Sequence, residues 1–204
     1  MPTPAVGTFP GLGGVAATGA SQVWAVGGHN SPGQTLTLRW NGTAWRHVQS
    51  PNPVDPRGIN GLDAVAATSG TDAWAVGAGG TNSVDQIIAL HWDGTAWHSV
   101  PVPEPDRFHD LYSVAATSAA NAWAVGDYGT NSVSHTLVLR WNGTAWSQVP
   151  SPSPGGSAGN NSLSAVAATS ATDAWAVGNY SSASASGTLI LHWDGTAWTQ
   201  VPSP

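Results

Sequence analysis

The feature that most constrains this chain is a hexapeptide that returns four times. It reads Trp40-Asn41-Gly42-Thr43-Ala44-Trp45, recurs from Trp92, Trp141 and Trp193, and carries Asp93 and Asp194 where the other copies have Asn41 and Asn142. Asn-Gly and Asp-Gly accept positive φ angles, so each copy predicts a two-residue type I′ turn whose twist suits two antiparallel strands. Strand-like sequence flanks it, with Thr35 to Trp40 alternating apolar and polar before the turn and Thr43 to Val48 following it. The unit is a β-hairpin with a Trp at its base.

Each hairpin closes a longer repeat. A first strand opens at Leu12, Leu62, Leu111 and Leu163, and a second surrounds Trp24, Trp74, Trp123 and Trp175, which lie 50, 49 and 52 residues apart. The hairpin supplies the third and fourth strands, ending at Val48, Val100, Val149 and Val201 before a Pro-containing exit. A period near 50 with four strands per repeat predicts an all-β chain, a β-propeller built from four four-stranded antiparallel blades. The blades fall at 1–50, 51–103, 104–154 and 155–204 of a single propeller unit. Segments such as Ile87-Ile88-Ala89-Leu90 are apolar on both faces, as a blade packed on both sides requires. The twelve tryptophans, Trp24, Trp40, Trp45, Trp74, Trp92, Trp97, Trp123, Trp141, Trp146, Trp175, Trp193 and Trp198, are read as structural because each can bury a large area. The connections of variable length all fall on one face, where binding residues are expected.

Composition narrows the function. Only 8% of residues are charged, the net charge is −6 and there is no Lys, so the chain lacks the basic patch that a phosphate backbone needs. Without Cys there are no disulfides or thiolate metal sites. No apolar run reaches the roughly 18 residues of a membrane span; a Ser, Thr, Gly and Trp-rich surface with few charges suggests an extracellular or cell-surface protein, and the Lys-free, Ala, Gly, Arg and Trp-rich usage suits a bacterium of high genomic GC content. The seven His show no metal-type spacing, and no cofactor or metal is expected. His91 and His192 stand two residues before Asp93 and Asp194, which predicts structural His-Asp pairs at the hairpin. The other two repeats have Arg39 with Asn41 and Arg140 with Asn142, a sign of two-blade duplication. Asp72, Asn121 and Asp173 read as turn residues.

The order of elements is similar to a kelch repeat. Val23-Trp24-Ala25-Val26-Gly27-Gly28 matches the double-glycine strand, and Leu38 to Val48 matches the aromatic hairpin. Only the first repeat keeps both glycines, the others reading Gly77-Ala78, Gly126-Asp127 and Gly178-Asn179, and Trp40 stands where kelch repeats commonly have Tyr. The resemblance spans nearly the whole chain and implies a propeller of the galactose-oxidase group. It implies little chemistry, because propellers carry many unrelated functions. The copper site with a Tyr-Cys crosslink that galactose oxidase uses is excluded here by the lack of Cys.

These readings favour a non-enzymatic scaffold or binding module. The whole-repeat boundaries also suit an engineered piece or an excised fragment of a longer propeller. The sharper alternative is a multivalent carbohydrate-binding propeller in which Tyr128 and Tyr180 stack on sugar rings while Asn131, Asn179 and Asn82 bond the hydroxyls. An enzyme would need acidic residues converging near the axis. An open series of four blades would leave two apolar faces uncovered, so self-association is expected, two chains forming an eight-bladed ring.

Overall fold

The computed structural model describes residues 4, 6–30, 33–54, 58–81, 84–104, 108–130 and 132–203. Two compact units divide it, Met1–Pro101 and Val102–Pro204.

In the first unit, β1 (Gly11–Gly19), β2 (Gln22–His29), β3 (Gln34–Trp40) and β4 (Trp45–Val48) form one antiparallel sheet in chain order. Its second sheet contains β5 (Ile59–Asn60), β6 (Ala64–Ser69), β7 (Asp72–Thr81), β8 (Val84–Trp92) and β9 (Trp97–Ser99). Because β5 and β6 both pair with β7, they act as one interrupted first strand. The second unit repeats this scheme. One sheet joins β10 (Phe108–Ser118), β11 (Asn121–Thr130), β12 (Val133–Trp141) and β13 (Trp146–Gln148), and the other joins β14 (Asn160–Ser170), β15 (Asp173–Ser181), β16 (Ser186–Trp193) and β17 (Trp198–Gln200).

A bulge interrupts the first strand at the same place in β1, β10 and β14, between Leu12 and Gly14, Leu111 and Ser113, and Leu163 and Ala165. It drives the first strand against the second. A Cβ on Gly27 would lie 1.9 Å from the Gly11 carbonyl oxygen, one on Gly126 1.8 Å from that of Asp110, and one on Gly178 1.9 Å from that of Ser162. Only glycine permits this approach. At the following position a Cβ on Gly28 meets nothing nearer than 3.4 Å, which is why Ala78, Asp127 and Asn179 fit there. The missing second glycine of the double-glycine pattern is thus sterically unnecessary.

The hairpins form, but with a different turn. A type I′ turn needs positive φ at both central residues. Here Gly42, Gly94, Gly143 and Gly195 have φ of 96 to 99°, and the Asn or Asp before each is not in that region. Asn41 instead turns its side chain inward, its Oδ1 accepting from the Thr43 amide at 3.0 Å, the Thr43 hydroxyl at 2.9 Å and the Ala44 amide at 3.0 Å. Asp93, Asn142 and Asp194 accept the same three bonds. The position needs an acceptor oxygen rather than a charge, so Asn and Asp interchange.

Register sorts the core. In the first repeat Trp24 pairs with Arg39 and Ala25 with Leu38, so Trp24 and Val26 share one face, the forward face, while Ala25, Leu38 and the hairpin tryptophans share the rear face. Trp24 and Val26 pack on Ala73, Ala75, Ile88, Leu90, Trp92 and Trp97, the rear face of the second repeat. The second unit is built alike, with Trp123, Val125 and Val138 against Ala174, Ala176, Leu189, Leu191, Trp193 and Trp198. Trp24 lies 4.9 Å from the rings of both Trp92 and Trp97, and Trp123 lies 5.0 and 5.2 Å from those of Trp193 and Trp198.

Polar ties cross the same seams. The Arg39 guanidinium lies 5.3 Å from the rings of both Trp24 and Trp92, and donates at 3.1 Å to the Gly70 carbonyl, which also accepts from the Trp92 indole. Arg140 does the same with Trp123, Trp193 and the Ala171 carbonyl. From the opposite side Asn60 donates to the Gly33 carbonyl and accepts from the Val54 amide, and Asn161 donates to the Ser134 carbonyl and accepts from the Gly155 amide. The alternation of Arg and His on the third strand therefore has a structural cause: Arg marks the repeat that reaches forward within its unit.

Candidate functional site

Tyr128 stands near the end of β11 and Tyr180 near the end of β15. Each opens onto a cavity over the outer strands of its sheet. The first, about 400 Å³, is lined by Tyr128, His135, Thr136, Gln148, Pro150 and Ser151 among others. The second, about 510 Å³, is lined by Tyr180, Gly187, Thr188, Gln200, Pro202 and Ser203 among others. The ladders pair Tyr128 with His135 and Tyr180 with Gly187, so the two linings occupy equivalent positions and five of the six residue types agree. Thr136 is fixed by the hydroxyls of Ser151 at 2.7 Å and Ser153 at 3.0 Å, and Thr188 is bonded to Ser203. The Tyr128 ring lies 5.5 Å from that of His135, and the buried His109 is its other ladder neighbour. In the first repeat His29 pairs with Gln34 at this place, and in the second Gly79 pairs with Gln86, so neither offers the tyrosine platform.

The tyrosines belong to strands rather than loops, and this separates them from their neighbours. Adjacent strand residues point to opposite faces. Asn179 accordingly lines a different cavity, of about 480 Å³, with Val177, Thr188 and Ile190. Thr188 and Ser203 line both this cavity and that of Tyr180. Asn82 and Asn131 lie outside the described residues.

The His-Asp pairs form with other partners than expected. His91 Nε2 meets Asp72 Oδ1 at 2.7 Å, and His192 Nε2 meets Asp173 Oδ1 at 2.8 Å. Asp93 has left the strand and is bound into its loop, where its other oxygen contacts His98 at 2.9 Å. Each histidine also stacks on the tryptophan opposite, His91 on Trp74 at 4.5 Å and His192 on Trp175 at 4.2 Å. The Thr68 hydroxyl bonds the other oxygen of Asp72, and that of Thr169 bonds Asp173. The Thr169 bond, followed by His192, holds the Asp173 carboxyl below its usual range. Asp72 and Asp173 are thus the acidic partners of the histidines, where the Arg repeats have Gln22 and Asn121. Each pair ties the third strand of its blade to the start of the second.

A further group escaped the sequence reading. Asp110 pairs with Asp127 across β10 and β11, Tyr112 donates to Asp110 at 3.4 Å, and Ser162 donates to Asp127 at 3.1 Å. Burial raises the Asp127 carboxyl. Burial, then the charges of Asp127 and Asp110, drives the Tyr112 phenol far above its usual range. The hint in the sequence was Asp127 itself, at the position where the first repeat has Gly28. Among the described residues no three His, Asp or Glu side chains gather as a metal site.

No protein-family model matches the chain, and no curated protein matches it. Solved structures do. The propeller YCF48 from Cyanidioschyzon merolae superposes with a TM-score of 0.55 at 16% identity, over 98% of this chain and 59% of that one. The fold is a β-propeller. Its four-stranded meanders are the blades. YCF48 bound to D1 peptide (TM-score 0.47, 14% identity, 98% of this chain and 84% of that one) and the GH43 endo-arabinanase from Bacillus licheniformis (0.47, 10%, 94% and 79%) are also similar. At such identities the likeness extends to the fold alone.

Proposed function

We propose that this chain is a non-enzymatic propeller module, of kelch-like type, that binds carbohydrate through the Tyr128 and Tyr180 pockets. The observation that carries this reading is the duplication: two successive blades present Tyr, Thr, Gln, Pro and Ser at the same five positions around a cavity. An aromatic face beside neutral donors and acceptors suits a polyhydroxylated, uncharged ring. Two weak sites on one chain would gain by avidity on a repetitive glycan. An extracellular location, where such glycans are displayed, agrees with this reading.

A glycan array followed by calorimetric titration of the best neutral saccharide tests it. Tyr128→Ala should abolish one site with the circular dichroism unchanged. Tyr180 packs partly against the core of its unit, so Gln200→Ala provides the milder second variant. Absence of any glycan binding by the folded chain would leave the scaffold reading in its place. A glycosidase screen addresses the rival class, and turnover lost in Asp127→Asn would replace the binding reading by an enzymatic one.

A further inference from the structure

One blade face is left open although its residues are those of a buried one. On the forward face, Trp24, Trp74 and Trp123 are 0 to 3% exposed and Val26, Val76 and Val125 are all 0% exposed. The equivalents in the fourth blade, Trp175 and Val177, are 42% and 43% exposed. The fourth blade has not exchanged them for polar residues, and a shallow cavity runs beside Val177 and Ile190.

The chain shows twice what covers a forward face. In each unit it is the rear face of another blade, and the forward tryptophan enters between the two hairpin tryptophans. Hairpin tryptophans used in this way are closed: Trp92, Trp97, Trp193 and Trp198 are 3 to 5% exposed. The pair of the first blade, Trp40 and Trp45, is only partly buried. Val6 packs with the Ala25, Leu36 and Leu38 cluster beside Trp45 and leaves the pair accessible.

We propose that the fourth blade docks on the first blade of a second copy of this chain, with Trp175 inserted between Trp40 and Trp45 of that copy. The contact is head-to-tail, and it recreates between chains the seam that joins blades within each unit. Two chains that each use both faces contribute eight blades to one closed assembly. The large apolar contact of three tryptophans at the centre of a seam is the kind of feature that dominates an interface. This inference depends on no ligand and stands apart from the sugar-binding reading.

Light scattering over a dilution series, combined with two variants, tests it. The wild-type chain should have a stable mass of twice 20.7 kDa or form a longer head-to-tail series. Trp175→Ser and Trp45→Ser should each reduce this to a single chain, and an equimolar mixture of the two variants should regain association through the one intact Trp175 with Trp45 seam. Trp40→Ser serves in place of Trp45→Ser if circular dichroism shows the latter unfolded. A wild-type monomer overturns the proposal, and if acrylamide then fails to quench Trp175, the fourth blade is covered within its own chain. Association that survives Trp45→Ser and Trp40→Ser also overturns it, since the forward face would then pair with itself.

Discussion

Two residue types that look like repeat ornament have separate and testable physical roles. The strand glycine opposite the bulge is fixed by contact, so Gly126→Ala, whose Cβ would lie 1.8 Å from the Asp110 carbonyl oxygen, should cost about 3 kcal/mol. Gly28→Ala, with 3.4 Å of clearance, should stay within about 0.5 kcal/mol. Thermal denaturation of both variants measures the contrast. The loop carboxylates make the second case. Three donors to one oxygen hold Asp194 at about 2 and push Asp93 lower still, with Thr95 and Thr196 the largest causes. A depressed folded value means that the stabilisation is complete above the unfolded value near ~4 and disappears as pH falls through about 2. In the Asp93→Asn, Asp194→Asn double variant the carboxylate contribution is gone, so stability should fall less steeply between pH 4 and 2. An acid titration followed by Trp fluorescence reads this, and Asn41 and Asn142 show that the loop accepts the amide.

At the scale of elements, the seam between paired blades combines an apolar contact with polar ties that arrive from both sides. Removing Arg39 deletes two ring contacts and a bond to the Gly70 carbonyl, which keeps the Trp92 indole as donor. Arg39→Ala should therefore cost about 1 to 2 kcal/mol, and Arg39→Lys should recover little of it, since a planar guanidinium stacks where an ammonium does not. Asn161→Ala acts differently, because it leaves the buried Gly155 amide without its acceptor. The expected loss is about 1 to 3 kcal/mol. Melting temperatures of the three variants separate stacking from hydrogen bonding.

Over the whole molecule, the two units share a blade plan but not a surface. The Tyr pockets belong to the second unit, whereas the first unit has His29 and Gly79 at the corresponding places. Calorimetric titration with a binding saccharide should accordingly give two sites per chain rather than four. Tyr128→Ala should bring that to one. A count of four would mean that the sites follow the blade scaffold and not the tyrosines.

The period of the tryptophans, the Asn-Gly and Asp-Gly hairpins and the doubly apolar strands were sufficient for the blade count and strand order, because these are local signals repeated four times. Tyr128 and Tyr180 could be singled out by type. Their cavities could not, since Gln148 and Ser151 reach Tyr128 only through the pairing of three strands. Strand alternation likewise separates Asn179 from Tyr180, neighbours in sequence, and carries the acidic partner of His91 from Asp93 to Asp72, nineteen residues away along the chain. The turn type depended on a side chain that accepts three bonds, which a dipeptide rule does not include. Sequence determined the repeat, since local propensity and hydrophobic period specify each blade on its own. The tertiary structure decided which faces meet, which tryptophans remain open and which polar groups converge, because those depend on register and on the contact of surfaces far apart in the chain.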